Sequence, residues 1–264
     1  MPDQELDDSS DLVLTERHGH VLVVTINRPA ARNAVDRATA LQIEKAMDLL
    51  DDTDDLFAGV ITGAGGTFSA GADLKAAARG DKGGSVPKRG GFGVFRRPPR
   101  KPLVAAVEGF AVGGGLELCL SCDLIVAAAT ARFGLPEVRH NLVAVGGGLF
   151  RLPKRLPYHV AMELALTGEF RDAEFFHRWG VVNRIVPAGE ALKAAVELAE
   201  SLEANGPTAL AASKEIIFRS SSWATEEEAW EAQAPIAAKA FDSEDRAEGL
   251  AAFAEKRKPV WKGR

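Results

Sequence analysis

Cysteine is scarce in this chain of 264 residues, with only Cys119 and Cys122, in the stretch CLSC. A chain of this length buries roughly 70–75% of its unfolded surface, so its core does not depend on disulfide staples. A zinc site would need a second pair of ligands, and the sequence supplies none. A redox C-x-x-C opens a helix, whereas this pair lies inside an apolar one, so buried free thiols are expected. Long hydrophobic runs are missing as well. None reaches the roughly 18 residues of a membrane span. Positive charge is not in excess. A net charge of −5 speaks against nucleic acid as the main partner, because phosphate neutralisation dominates that binding. The start, MPDQELDDSSD, lacks the basic and apolar stretches of a signal peptide. The chain therefore reads as cytoplasmic, with residues 1–11 as a poorly ordered tail. One tyrosine in the whole chain and no aromatic sugar platform near the candidate glutamates argue against a two-carboxylate glycosidase.

What is present points to an α/β core. Leu12–Glu16 and Val21–Asn27 alternate around Arg17–His20 and predict a hairpin. Asp36 is placed to cap a helix running to about Leu50, with Leu41, Ile43, Met47 and Leu50 on or near one face. FAGVIT (57–62), LVAAVEG (103–109) and DLIVAAA (123–129) are compact apolar strands, buried on both faces and alternating with helical segments. From Pro187 onward the pattern is helical. Ala188–Ala204, Thr208–Arg219, Glu226–Lys239 and Glu244–Lys256 are predicted helices, and their apolar faces need the core or another subunit. The division is a tail (1–11), a core that carries the site (12–200) and a helical region (201–264). The segment 79–101 is rich in Gly and Pro and has eight basic residues against one acid. It reads for the most part as a solvated, mobile loop. The functional alternative is a lid that attracts a phosphate-bearing ligand.

The glycines carry the chemistry. GAGG (63–66) and GGG (113–115) follow strands, but neither fits the dinucleotide fingerprint or a phosphate loop. Ser69 in GTFSAG misses the nucleophile-elbow spacing by one residue. The turns SAGAD (69–73) and VGGGLE (112–117) could instead each present one backbone N–H to the same oxygen. Such an oxyanion hole stabilises a transition state by about 3–4 kcal/mol per donor. Glycine suits the position because a side chain would block close approach, and a helix N-terminus there favours an anion. Glu117 lies among Leu116, Leu118, Cys119 and Leu120. Burial in such company would raise its pKa and fit it for proton transfer. Glu137, after Pro136, lies on a loop where sites often gather.

These residues resemble the crotonase (enoyl-CoA hydratase/isomerase) superfamily across nearly the full chain. The likeness is carried by INRPAARNAVD (26–36), VITGAGGTFSAGADLK (60–75), KPLVAAVEGFAVGGGLELCLSCDLIVA (101–127), ARFGLPEVRHNLVAVGGGLFRLP (131–153) and EGLAAFAEKRKPVWKGR (248–264). The last is similar to the tail of carnitinyl-CoA dehydratases and of several bacterial hydratases. The resemblance implies an α/β spiral of ββα turns with a C-terminal helical region that makes trimers, often paired into hexamers. It implies an acyl-CoA thioester as substrate, with coenzyme A part of that substrate and no metal or other cofactor. It assigns the oxyanion N–H groups to Ala72 and Gly114 and the two hydratase carboxylates to Glu117 and Glu137. Glu117 would activate water and Glu137 deliver a proton to C2. Arg28, Ala30, Ala70, Asp73, Leu74 and Lys75 match stretches that line coenzyme A, and Phe253 and Lys256 a tail that can reach it, sometimes in a neighbouring subunit. Read on their own, Phe253 is core packing and Lys256 a surface charge. Val145 stands where the family often has a glycine that helps hold the water, and Ala144 where it has a proline. Val restricts φ and adds bulk. His140 and Asn141 could line the pocket. Hydration of a trans-2-enoyl-CoA is the first reading. A double-bond isomerase, a carnitinyl-CoA-like dehydratase and a non-catalytic acyl-CoA- or RNA-binding scaffold are the alternatives.

Overall fold

The computed structural model describes residues 11–81 and 84–264, so the expected tail lies, apart from Asp11, outside the described residues. β1 (Val13–His18) and β2 (Val21–Ile26) form the antiparallel hairpin, turning through Gly19 at φ +56°. Chain order then gives β3 (Ala58–Gly63), a short hairpin β4 (Ser85–Val86) and β5 (Gly90–Gly91), β6 (Leu103–Val107), β7 (Phe110–Val112), β8 (Leu124–Ala128), β9 (Arg132–Gly134), β10 (Arg171–Asp172) and β11 (Arg184–Val186). The main sheet has six strands in the order β1-β2-β3-β6-β8-β11. Every pairing after the first is parallel. The smaller sheet runs β10-β9-β7, and a parallel bridge from Ser69 to Ala111 extends it. Each turn of the chain thus lends one segment to each sheet: β3 then Ser69, β6 then β7, β8 then β9. This is the spiral that the resemblance implies.

The sheet is buried on both faces because its strands are apolar at odd and even positions alike. Leu22, Val24, Ile26 and Ile61 pack towards α1 (Arg37–Asp52), against Ile43, Met47 and Leu50. Val21, Val23, Val60, Val104 and Val126 face the other way. The helices in between are α2 (Leu74–Ala78), α3 (Gly114–Cys119), α4 (Gly148–Arg151), α5 (Tyr158–Thr167) and α6 (Ala173–Arg178). They lead to α7 (Ala191–Ser201), whose Ala195, Leu198 and Ala199 cover the second face. Asp36 caps α1 as predicted, its carboxylate accepting from Thr39 N at 2.9 Å. Asp36→Ala is expected to lower stability by about 1–2 kcal/mol, and Asp36→Asn by less, since asparagine still caps. Urea denaturation reads the difference.

Two expectations need correction. The segment after residue 84 is not a solvated, mobile loop. Val86, Phe92, Val94 and Phe95 are buried, and so is Arg89. Arg89 donates to Asp48 at 2.8 Å and to Asp51 at 2.7 Å. Glu44 accepts from Lys88 N at 3.1 Å and Arg89 N at 2.8 Å. The basic charge at Arg89 is thus matched by acids on α1, which makes its burial tolerable. Phe253, read on its own as core packing, is 86% exposed. Its neighbour Ala252 takes the buried side of the helix, and consecutive helical residues lie about 100° apart.

The helical region comprises α8 (Pro207–Ser220), α9 (Glu226–Phe241) and α10 (Glu244–Glu255). Ala212, Ile236 and Ala240 join the first two of these. Ile217, Phe218, Trp230 and Leu250 stay exposed along with Phe253. Among the described residues, no helix is long and apolar enough to cross a membrane. Cys119 and Cys122 are buried free thiols, and burial pushes both pKa values up.

Candidate active site

The glycine turn after β7 starts α3. Gly113 caps the helix at φ +57°, ψ −126°, a backbone that needs glycine. Its N–H donates to Gly134 O at 2.8 Å and ties the turn to β9. The turn after Ser69 meets it closely. A side chain on Gly71 would come within 2.8 Å of Val112 O and 2.9 Å of Gly114 N. A methyl on Gly114 would lie 2.5 Å from the Phe92 ring and 3.5 Å from Ala72 N. Among the described residues, the N–H groups of Ala72 and Gly114 have no acceptor. Both residues line one cleft of about 830 Å³. Two residues with unpaired N–H groups, from separate turns, therefore line the same space, one of them at a helix N-terminus.

Glu117 follows one turn into α3, and only 4% of it is exposed. Its Oε1 accepts from Gly148 N at 2.8 Å. Burial raises its pKa, while the Gly148 and Gly146 N–H groups and the Arg151 charge oppose that rise. Glu137 sits in a short 3-10 turn, Pro136–His140. Its Oε2 is buried without a hydrogen-bond partner among the described residues, and its Oε1 is 3.0 Å from where a side chain on Gly113 would begin. Burial raises its pKa first, and the charge of Glu117 adds to the rise. The carboxylates come from different segments but line the same cleft.

Around them the wall is apolar, with Val86, Phe92, Phe95, Leu142, Val143 and Phe150. The Phe92 and Phe95 rings stack with centroids 4.7 Å apart. Val145 lines the cleft, is 86% exposed, and has no positive φ, so the expected bulk falls at the rim without backbone strain. His140 also lines the cleft, whereas Asn141, at φ +54°, ends the 3-10 turn.

Of the other predicted residues, Ala70 and Leu74 line the cleft as well. Arg28 and Asp73 do not, and they meet each other. The Arg28 guanidinium is 2.9 Å from Asp73 and 3.1 Å from Asp36, and it also donates to Ala34 O. Asp73 caps α2 through Ala76 N at 3.0 Å, and that bond, together with Arg28, lowers its pKa. Ala30 and Lys75 are exposed and outside the cleft lining. Phe253 and Lys256 are exposed where α10 ends, with Lys256 in the left-handed region at φ +55°. A second cavity of about 590 Å³, between residues 96–101 and α8, holds none of the predicted site residues. Sequence reasoning did not single out Gly146 and Gly148, whose lack of side chains leaves room for the Glu117 carboxylate. It also missed Phe92, Phe95 and Arg151. The one available signal was the second run of three glycines, 146–148.

Comparison with known proteins identifies the family. The enoyl-CoA hydratase/isomerase family model matches residues 16–264. Enoyl-CoA hydratase EchA19 of Mycobacterium tuberculosis is 42% identical over 258 residues, covering 95% of this chain and 96% of that one. A carnitinyl-CoA dehydratase of Citrobacter koseri is 44% identical over 255 residues, covering 94% and 97%. Among solved structures, an enoyl-CoA hydratase from Mycobacterium tuberculosis superposes with a TM-score of 0.92 at 50% identity, covering 97% of this chain and 100% of that one. A probable enoyl-CoA hydratase/isomerase from Mycobacterium abscessus gives 0.91 at 55% identity, with the same coverage. The chain belongs to the enoyl-CoA hydratase/isomerase family, within the crotonase superfamily.

Proposed function

We propose that this protein is an enoyl-CoA hydratase, a lyase that adds water across the C2=C3 bond of a trans-2-enoyl-CoA. The observation that carries the reading is the meeting in one cleft of two unpaired backbone donors and two carboxyl groups, Glu117 buried and Glu137 half-buried. The thioester oxygen takes the N–H groups of Ala72 and Gly114. Water attacks C3, its oxygen forming the new C–O bond while a proton passes to Glu117. The C2=C3 electron pair moves towards the thioester, which carries the charge as an enolate held by the two donors. C2 then takes a proton from Glu137. Exchange with solvent returns the pair to its starting state.

The environments of the two carboxyls support this division of roles. Glu117 accepts a hydrogen bond from Gly148 N and is near the Arg151 charge, both of which favour its ionised form. Glu137 has an orphaned oxygen and a like charge beside it, both of which favour its proton. The two titrate as a coupled pair. The reaction moves one water and its protons, so coenzyme A enters only as part of the substrate.

The apolar wall suits an uncharged acyl chain. Among the described residues, the ionisable groups in the lining apart from the two glutamates are Arg96 and His140. A trimethylammonium group would find no further carboxylate there, which favours hydratase over carnitinyl-CoA-type dehydratase action. The exposed apolar residues of α8–α10 are proposed as trimer contacts, which would bring Phe253 and Lys256 to a neighbour's coenzyme A. The test is loss of enoyl-thioester absorbance with short, medium and long trans-2-enoyl-CoAs, alongside a trimethylammonium-bearing enoyl-CoA. Turnover of the alkyl series with a clear chain-length optimum is expected. Turnover of the charged thioester alone would shift the assignment to a dehydratase, and acyl-CoA binding without turnover would reject both.

A further inference from the structure

The C-terminal residue of α4, Arg151, is 9% exposed and makes no ion pair among the described residues. Its Nη1 donates to Ser121 Oγ at 2.7 Å and, more weakly, to Gly146 O at 3.4 Å. Its Nη2 donates to Phe95 O at 2.6 Å. Ser121 Oγ in turn donates to Glu117 O at 2.8 Å. The guanidinium packs beneath Gly147, where a side chain would come within 2.8 Å of Nη1.

A buried cation without a carboxylate is a poor device for stability, since an apolar residue of the same shape often does as well or better. What it supplies is geometry, because a planar fork of donors can hold several acceptors in fixed directions. The three acceptors belong to three separate walls of the cleft. Phe95 ends the loop that sets Phe92 against Gly114. Ser121 follows α3, which carries Glu117. Gly146 belongs to the turn that leads into Gly148, the donor to Glu117. We propose that Arg151 is a positioning residue, a clamp that fixes the Phe92–Phe95 wall and the glycine turn against α3, and so sets the place of the Glu117 carboxylate.

The proposal rests on the hydratase reading for its kinetic consequences only. The charged groups that bear on Glu117 are Arg151 from α4 and Glu137 from the 3-10 turn, with His140 and Arg96 also in the cleft lining. Arg155, Glu117 and Cys122 bear on Arg151 itself. The experiment compares wild type with Arg151→Gln and Arg151→Lys. It measures kcat, KM, the pH profile of kcat/KM, the melting temperature and the carboxyl-carbon titration of Glu117 by NMR. Arg151→Gln is expected to lose about 10–100-fold in kcat through misplacement of the carboxylate, with KM changed far less, and to move the Glu117 titration upwards. Arg151→Lys keeps the charge and should restore the titration without the full kcat, because an ammonium cannot span the three acceptors. A folded Arg151→Gln with wild-type kcat and an unmoved titration would overturn the clamp. Should that variant not fold, Ser121→Ala removes one acceptor while keeping the charge, and its kcat carries the test: a loss supports the clamp, and a wild-type kcat overturns it. If the wild type turns over no enoyl thioester, the hydratase reading fails, and the Gly148 amide resonance, which reports the hydrogen bond to Glu117, still decides on the clamp: it shifts in both Arg151 variants if the clamp holds and stays in place in both if it does not.

Discussion

Glu137→Gln is expected to lower kcat for hydration by about 10²–10⁴-fold, the range for loss of a general acid or base, and Glu117→Gln by a similar factor. Glutamine keeps the shape of the side chain. At position 117 its amide oxygen can still accept from Gly148 N, so the helix and the glycine turn should hold. What each variant loses is a proton carrier. Acyl-CoA affinity should therefore change little, and the loss should fall on kcat. The pH profile separates the two roles. Both carboxyls are raised above the 4.5 of an ordinary glutamate. The base must be ionised, so activity should rise with pH through the lower titration of the pair. The acid must be protonated, so activity should fall through the upper one. Because the charge of Glu117 is one cause of the raised Glu137 pKa, Glu117→Gln should move the remaining titration downwards. Stopped-flow absorbance across pH checks all of this. Two variants with near wild-type kcat would sink the two-carboxylate mechanism.

The long, doubly buried strands were legible because an apolar run bounded by turn residues leaves few alternatives. Their observed limits lie within a few residues of the predicted ones. β7, β9, β10 and β11 are two or three residues long, too short for any period to emerge. The segment around Arg89 was misread for a different reason. Its Gly and Pro content says loop, but its partners Asp48 and Asp51 lie 41 and 38 residues upstream. Composition within a window cannot see a pairing across that distance. At the site, Glu117 could be singled out from its apolar neighbours alone. The orphaned oxygen of Glu137 and the support from Gly148 depend on turns that meet only in three dimensions. The carried-over coenzyme A residues show the same limit. Sequence placed Arg28 and Asp73 on matching stretches, but not against each other.

Gly114→Ala is expected to cost about 10²–10³-fold in kcat, the effect of losing one oxyanion donor, or about 2.7–4 kcal/mol of transition-state stabilisation. The added methyl would lie 3.5 Å from Ala72 N, in the place that the proposed mechanism gives to the thioester oxygen. A thioester oxygen could then not approach both donors. The same methyl would also come within 2.5 Å of the Phe92 ring, so a simple clash is a competing explanation for lost activity. The double variant Gly114→Ala/Phe92→Ala separates them. It removes the ring and relieves the clash, but the methyl still intrudes between the donors. If the oxyanion reading holds, Phe92→Ala alone costs much less than Gly114→Ala, and the double variant stays as slow as Gly114→Ala. Recovery in the double variant would mean that the glycine is there to admit Phe92. The coupling between the two changes, read as a double-mutant cycle on kcat/KM, is the quantity that decides. Loss concentrated in kcat would mark the donors as acting on the transition state. Loss shared equally by ground-state binding would mean that the donors hold the thioester without favouring its transition state.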